Sequence, residues 1–295
     1  MHSDIKQLLV TGGTGSFGRA FVKSALNKFT SLERIVVFSR DELKQFEMSQ
    51  NPNFRDSRIR FFIGDVRDGS RIKRAMDGID TVVHAAAMKH VTASEYNPFE
   101  CIKTNIIGAQ NVIDACLDSN VNKVIALSTD KASSPVNLYG ATKLCSDKLF
   151  VAANYFKGDK ATKFAVVRYG NVMCSRGSVV PIFHKALKNL ENVKITDTRM
   201  TRFSTTLGQG VQTVLDTLNF MMGGEVVIPK LPSYRIIDVA TAMGATNESI
   251  ELVGIRPGEK LHEEMIAESD LEQLFDLDGY FAILPSISNK SPIQH

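Results

Sequence analysis

Residues 128–143 read STDKASSPVNLYGATK and concentrate side chains suited to moving protons. Asp130 and Lys131 set an acid beside an amine. Tyr139 and Lys143 are four apart, which on a helix places them on one face. A lysine ammonium beside a phenol favours the phenolate, so Tyr139 is expected to ionise well below its ordinary pKa of about 10 and to act as a base. A hydride passed off and on one carbon needs only such a tyrosine and a redox cofactor. An elimination that follows the oxidation needs more. A base must take the proton that the new ketone acidifies, and an acid must protonate the departing hydroxyl; Asp130 and Lys131 offer both functions at one point. A strand-end ion pair is the alternative for Asp130 and Lys131.

The elements around this stretch decide its reading. Apolar runs QLLV, RIVVF, IRFFIG, DTVVHAA and KVIALS are rich in Val, Ile and Phe, as suits strands buried on both faces of a parallel sheet. Helical periodicity lies between them, at 17–28, 41–49, 70–76 and 99–118. This alternation predicts βαβ units in an α/β, Rossmann-type doubly wound parallel sheet. TKFAVVRYG supplies one more strand. Beyond it the pattern shortens, which predicts a dinucleotide-binding domain over 1–170. Residues 171–295 are then mainly a smaller α/β substrate lobe, with some segments returning to the main sheet. The fifth strand ends at Ser128 and Thr129, the edge where open α/β sheets bind ligands. The last residues, SNKSPIQH, read as a frayed end.

Composition narrows the class. The chain has 295 residues, 43% hydrophobic and 23% charged, ordinary for a soluble globular protein. A net charge of +3 is too small to indicate a nucleic-acid partner and does not repel an anionic substrate. Cys101, Cys116, Cys145 and Cys174 form no CxxC pair, so reduced, mostly buried thiols are expected rather than disulfides or a metal site. Neither a signal peptide nor a membrane span is legible, and a cytoplasmic protein is expected.

The cofactor is announced in LLVTGGTGSFGRAF, where Gly12, Gly15 and Gly18 follow a strand and open a helix. Glycines there let the backbone approach a pyrophosphate whose charge the helix N-terminus holds; Thr14, Ser16 and Phe17 belong to the same turn. After the second strand, Ser39 and Arg40 stand where an acidic residue would hold the ribose diol of NAD. Arg40 suits the 2′-phosphate of NADP, helped by Ser39 and Lys44, although Asp41 and Glu42 follow at once. Asp65 and Val66 are placed for adenine. Ala85, Ala86 and Ala87 leave room for cofactor against backbone. Leu127, Ser128 and Val172, with Tyr139 and Lys143, complete the expected contacts.

From the N-terminus through Gly170 the chain resembles the extended short-chain dehydrogenases/reductases. The set TGGTGSFG, SRDELK, FFIGDVRD, HAAAMKHV, STDKASSPVNLYGATK, RYGNV, RGSVVP, MTRF and IRPGEKLHE is similar to the inverting UDP-N-acetylglucosamine 4,6-dehydratases of pseudaminic acid biosynthesis. That resemblance reaches about Met265. It implies NADP recycled within each turnover, Lys131 as the C5 base that returns a proton to the opposite face, Asp130 as the acid, and Thr129 with them. Tyr139 and Lys143 then serve O4. Lys89, Asn171, Val180, Thr196, Met200, Arg202, Arg256 and Glu259 are implied on the UDP-sugar, with the two arginines on the diphosphate and Glu259 on the uridine ribose. A homo-oligomer is also implied. Met173 and Cys174, Ser204 and Thr92 depart from the family pattern, as does the lack of a Tyr/Ser/Asn-rich tail. Related 4-epimerases or dehydratase/epimerases of capsule or O-antigen synthesis, and a non-catalytic NADP-binding protein, are the other readings.

Overall fold

Strand and helix alternate through the first part of the chain. In order come β1 (Gln7–Thr11), α1 (Ser16–Lys28), β2 (Arg34–Ser39), α2 (Glu42–Gln50), β3 (Ile59–Ile63), α3 (Gly69–Ala75) and β4 (Thr81–His84). Then follow α4 (Val91–Tyr96), α5 (Pro98–Ile102), α6 (Gly108–Asp118), β5 (Lys123–Thr129), α7 (Leu138–Phe156) and β6 (Lys163–Tyr169). The structure is a computed structural model and describes residues 5–174 and 178–285, so the C-terminal residues read as frayed lie outside it.

The later elements are shorter: β7 (Asn171–Val172), α8 (Val179–Lys188), β8 (Val193–Ile195), β9 (Thr201–Thr205) and α9 (Leu207–Phe220). They continue with β10 (Val226–Pro229), β11 (Ser233–Arg235), α10 (Ile236–Ala242), β12 (Ile250–Leu252), β13 (Leu274–Leu277) and β14 (Tyr280–Ile283).

The main sheet runs β13-β14-β10-β6-β5-β4-β1-β2-β3. Every pairing from β10 to β3 is parallel, and only the β13–β14 hairpin adds antiparallel edges. Strand order reverses between β1 and β4, the crevice where doubly wound sheets take nucleotides. Side-chain alternation divides the core. Leu9, Val36, Phe38, Val82 and Val124 face a layer with α3, α6 and α7. Leu8, Val10, Ile35, Val37 and Val83 face another with α1 and α9. Each such apolar side chain contributes about 1.5–3 kcal/mol of burial, and with both faces covered the central strands carry no polar stripe. A separate apolar cluster, including Phe183, Val193, Ile195, Met200 and Ile236, holds the later elements together.

Three features depart from the sequence expectation. The periodic segment 99–118 is not one α-helix: a π-helical stretch, Lys103–Ile107, separates α5 from α6. The wider turn brings Asn105 inward, where it accepts from Met88 N–H at 2.8 Å and donates to Met88 O and Thr142 Oγ1 at 3.0 Å each. The β13–β14 hairpin, unread in the sequence, extends the sheet beyond β10. Finally, only Cys101 and Cys116 are buried; Cys145 and Cys174 are exposed, because they sit on the outer side of α7 and beyond β7.

Candidate active site

The ends of β1 and β4 meet at the switch point. Gly12 adopts φ +65°, and a Cβ there would stand 2.9 Å from Ala86 N. A Cβ at Gly18 would stand 2.5 Å from Gly13 Cα, so α1 leaves the turn only with glycine at that position. Thr11 Oγ1 accepts from the N–H groups of Ala85 (3.1 Å) and Ala86 (3.2 Å). Its own proton goes to His84 Nδ1 at 2.8 Å, so that nitrogen is the unprotonated one. Gly15 precedes α1 and gives it no side-chain cap, leaving the helix N-terminus to an anion. Thr14 Oγ1 donates to Ser39 Oγ at 3.0 Å, joining the glycine turn to the end of β2. Arg40 is exposed beside Asp65, and Lys44 pairs with Asp41 at 2.6 Å. These groups fit a dinucleotide. Ser16 and Ala87 are exposed, and Phe17, Ala85, Leu127 and Val172 are half-buried around the same crevice. Val66, by contrast, is buried against the Gly108 position of α6.

The proton-moving residues come together at the end of β5. Asp130–Ala132 form a 3₁₀ turn whose Thr129 side chain accepts from Lys131 N–H at 3.4 Å and donates to Asp130 Oδ1 at 2.9 Å. Lys131 Nζ donates to the same Oδ1 at 3.0 Å and to Asn171 Oδ1 at 3.4 Å. Helix α7 begins at once after this turn because Asn137 caps it, accepting from Gly140 N–H at 2.8 Å, a contact worth about 1 kcal/mol. Gly140 is required by proximity: a Cβ there would collide with Lys131 O. The first turn of α7 therefore packs directly on the Lys131 turn, which brings Tyr139 near the Thr129 side chain.

The expectation of a phenolate at Tyr139 needs correction. Burial pushes the phenol up; the Thr129 hydroxyl works against this, while the charges of Asp130 and Asp147 add to it. Lys143 is itself buried, and burial lowers its pKa against the pull of Asp147. In the protein alone, then, Lys143 does not make Tyr139 acidic. Its charge is balanced by Asp147, one further turn along the same face. Asp147 accepts from Ser128 Oγ at 2.6 Å and from Arg168 Nη2 at 3.4 Å. Burial still raises its carboxyl despite Arg168 and Lys143.

The substrate candidates divide. Asn171 and Arg202 share the β11-β9-β7 sheet, where Ser204 pairs in register with Asn171 and Tyr234 with Arg202. Arg202 is buried and donates to Thr201 O at 2.7 Å and Leu261 O at 3.2 Å. Tyr234, which the sequence reading passed over, lies within the field of Arg202 and Asp130; burial raises its phenol. Arg256 is exposed, 3.9 Å from Glu259. Lys89 is exposed beyond β4, and Val180 is half-buried on α8. Thr196 donates to the sulfur of Met200 at 3.2 Å, and Met200 is buried in the small apolar cluster.

Glu263 is the residue most clearly missed. Its carboxylate reaches Lys131 Nζ at 3.3 Å and is almost wholly buried. The EE pair in KLHEEMI carried no local signal for that contact.

The sequence profile of the family described as "Polysaccharide biosynthesis protein" matches residues 8–285. The chain belongs to that family. A polysaccharide biosynthesis family relative from Campylobacter jejuni (strain 81-176), named UDP-N-acetylglucosamine 4,6-dehydratase (inverting), is 57% identical over 96% of this chain and 84% of its own. A protein of Rickettsia prowazekii named UDP-glucose 4-epimerase is 42% identical over 94% of this chain and 82% of its own. The X-ray structure of Pen from Bacillus thuringiensis is 40% identical and superimposes with a TM-score of 0.92, covering 97% of this chain and 90% of that one. No described helix is long and apolar enough to cross a membrane.

Proposed function

We propose that the protein is a UDP-N-acetylglucosamine 4,6-dehydratase that inverts C5. The observation that carries this reading is the acid–amine pair of Asp130 and Lys131, 3.0 Å apart, with Thr129 donating to the same Asp130 oxygen and the first turn of α7, which carries Tyr139, packed on their turn. It is supported by the 57% identity to a relative of that name. A bound nicotinamide, NADP by our reading of Arg40, supplies the oxidation at C4 and the returning reduction at C6. The positive charge of a bound oxidised nicotinamide would favour the Tyr139 phenolate over the phenol of the protein alone; the phenolate takes the O4 proton and later yields it to solvent, because the product keeps its C4 ketone. Before the elimination, Lys131 passes a proton along its hydrogen bond to Asp130. The Lys131 amine then takes the C5 proton and Asp130 gives its proton to the leaving 6-hydroxyl, which departs as water. Lys131 finally returns a proton to the opposite face of C5.

In this reading residues 1–170 hold the dinucleotide and 171–295 mainly the UDP-sugar, through Asn171, Arg202, Arg256 and Glu259. Lys89, Val180, Thr196 and Met200 complete the proposed sugar contacts. We take the protein to be a cytoplasmic homo-oligomer that serves bacterial surface-glycan or flagellin sugar synthesis, pseudaminic acid being the pathway indicated by the resemblance. A 4-epimerase is the second reading, favoured by the name of the 42% identical Rickettsia relative. Proton NMR of UDP-N-acetylglucosamine incubated with the protein in heavy water separates the two. The dehydratase gives a 6-deoxy-4-keto sugar with deuterium at C5. An axial 4-hydroxyl with C6 oxygen retained would overturn it.

A further inference from the structure

Lys131 Nζ lies between two carboxylates, Asp130 Oδ1 at 3.0 Å and Glu263 Oε1 at 3.3 Å, with the Asn171 amide oxygen at 3.4 Å. Both carboxylates are nearly inaccessible, and Asp130 Oδ2 and Glu263 Oε2 make no hydrogen bond among the described residues. Burying a second carboxylate is costly unless it is paired, and its one ion-pair partner among the described residues is Lys131. The position of Glu263 is also built. Successive contacts lay its segment along the catalytic turn: Asn137 Nδ2 donates to Gly258 O at 2.8 Å, and Lys260 Nζ donates to Ser133 O at 3.1 Å. Gly258 allows the close approach at φ +79°, where a Cβ would stand 3.1 Å from Asn137 Cβ. Just beyond, Met265 O accepts from Arg168, which holds Asp147 behind Lys143.

We propose that Glu263 is a positioning residue for the dehydration, holding Lys131 Nζ jointly with Asp130 and balancing the charge that Lys131 gains at C5. This inference rests on the dehydratase reading and adds a residue to it. Charge is conserved in the step. Before it, a Lys131 amine, an Asp130 carboxyl and a Glu263 carboxylate sum to one negative charge. The C5–H bond breaks and its proton joins the amine, while its electron pair moves toward the C4 ketone and on to expel O6, which takes the Asp130 proton. Afterwards one ammonium and two carboxylates again sum to one negative charge. Glu263 keeps its charge throughout and so favours the ammonium side. Among the described residues the charged groups paired with Lys131 are Asp130 from its own turn and Glu263 from the 258–263 segment; Tyr234 on the small sheet lies within the field of Asp130 and Arg202.

Glu263→Gln tests the proposal because it keeps shape and removes charge. Deuterium entry at C5 should fall by roughly 10²-fold with KM little changed, and Glu263→Asp should recover part of the loss. A second readout needs no substrate. With the carboxylate gone, Lys131 Nζ loses one of the two ion-pair contacts that hold it, so acetic anhydride should acetylate it roughly tenfold faster, read by peptide mass spectrometry. Faster acetylation in a variant whose wild type gives no dehydrated sugar would keep Glu263 as the holder of Lys131 and refute the dehydratase reading instead. Wild-type rates of acetylation and of C5 exchange in Glu263→Gln would overturn the inference.

Discussion

Arg40 Nη1 stands 3.9 Å from Asp65 Oδ2, while Arg67 holds the same carboxylate oxygen at 2.7 Å. Burial pushes the Asp65 carboxyl upward, but the Arg67 hydrogen bonds more than offset it and leave the pKa lowered. Asp65 is therefore satisfied without Arg40, whose side chain is 62% exposed. Arg40 can turn to a 2′-phosphate and strand no partner. NADP should bind more tightly than NAD, and Arg40→Ala should cost NADP about 1.5–3 kcal/mol, tenfold or more, with little change for NAD. Calorimetric titration of both dinucleotides checks this; an unchanged NADP/NAD ratio in the variant would count against it.

Lys131→Ala should uncouple oxidation from elimination. Tyr139 and Lys143 remain in place on α7, so the near-ultraviolet absorbance of reduced nicotinamide should still rise when substrate is added. C5 deprotonation should slow by roughly 10²–10⁴-fold, and deuterium entry with it. Tyr139→Phe should instead lose the absorbance change and every later step. If Lys131→Ala formed product at the wild-type rate, Lys131 would be only a strand-end ion pair.

Gly140→Ala should destabilise the fold. In an ordinary helix that change stabilises by up to about 1 kcal/mol, so a loss of stability identifies the collision with Lys131 O. An overpacking cost of about 1–3 kcal/mol is expected, visible as a lowered Tm, with dehydration impaired beyond the stability loss because α7 and the Lys131 turn are forced apart. A raised Tm would show that the turn yields freely.

His84 makes stability depend on acid pH. Burial, helped by the Lys143 charge, lowers its pKa from 6.5 to about 3. Below its unfolded value the unfolded chain binds a proton that the folded chain refuses, so stability is present above that value and is lost as pH falls toward the folded one. The loss should be on the order of a few kcal/mol across that window. His84→Asn, which cannot titrate, should show a shallower decline in urea unfolding between about pH 7 and about pH 4.5. Parallel declines would assign the acid sensitivity to other groups.

The assembly proposal has a direct check. Light scattering at micromolar concentration should return a multiple of 32.5 kDa. The monomer mass alone would refute it.

Much of this molecule is written locally. Apolar runs such as KVIALS and the glycines at 12, 15 and 18 announce the parallel sheet and the nucleotide crevice, because strand burial and tight turns depend on neighbouring residues. Spacing alone likewise put Tyr139 and Lys143 on one face of α7, and adjacency put Asp130 beside Lys131. Contacts between distant segments and the dielectric around each charge are properties of the folded chain, and there the sequence was silent or misleading. The π-helical turn that aims Asn105 at Met88 and Thr142 breaks a helix whose periodicity looked continuous. Asp147 became the partner of Lys143 only once α7 was buried beside Arg168, and that same burial raises Tyr139 where the motif suggested a phenolate. Glu263 reaches Lys131 through a loop return that no local pattern encodes. Local residue order settles which groups can carry protons; their partners and charge states come from packing, because pairing and desolvation depend on what folds against each group.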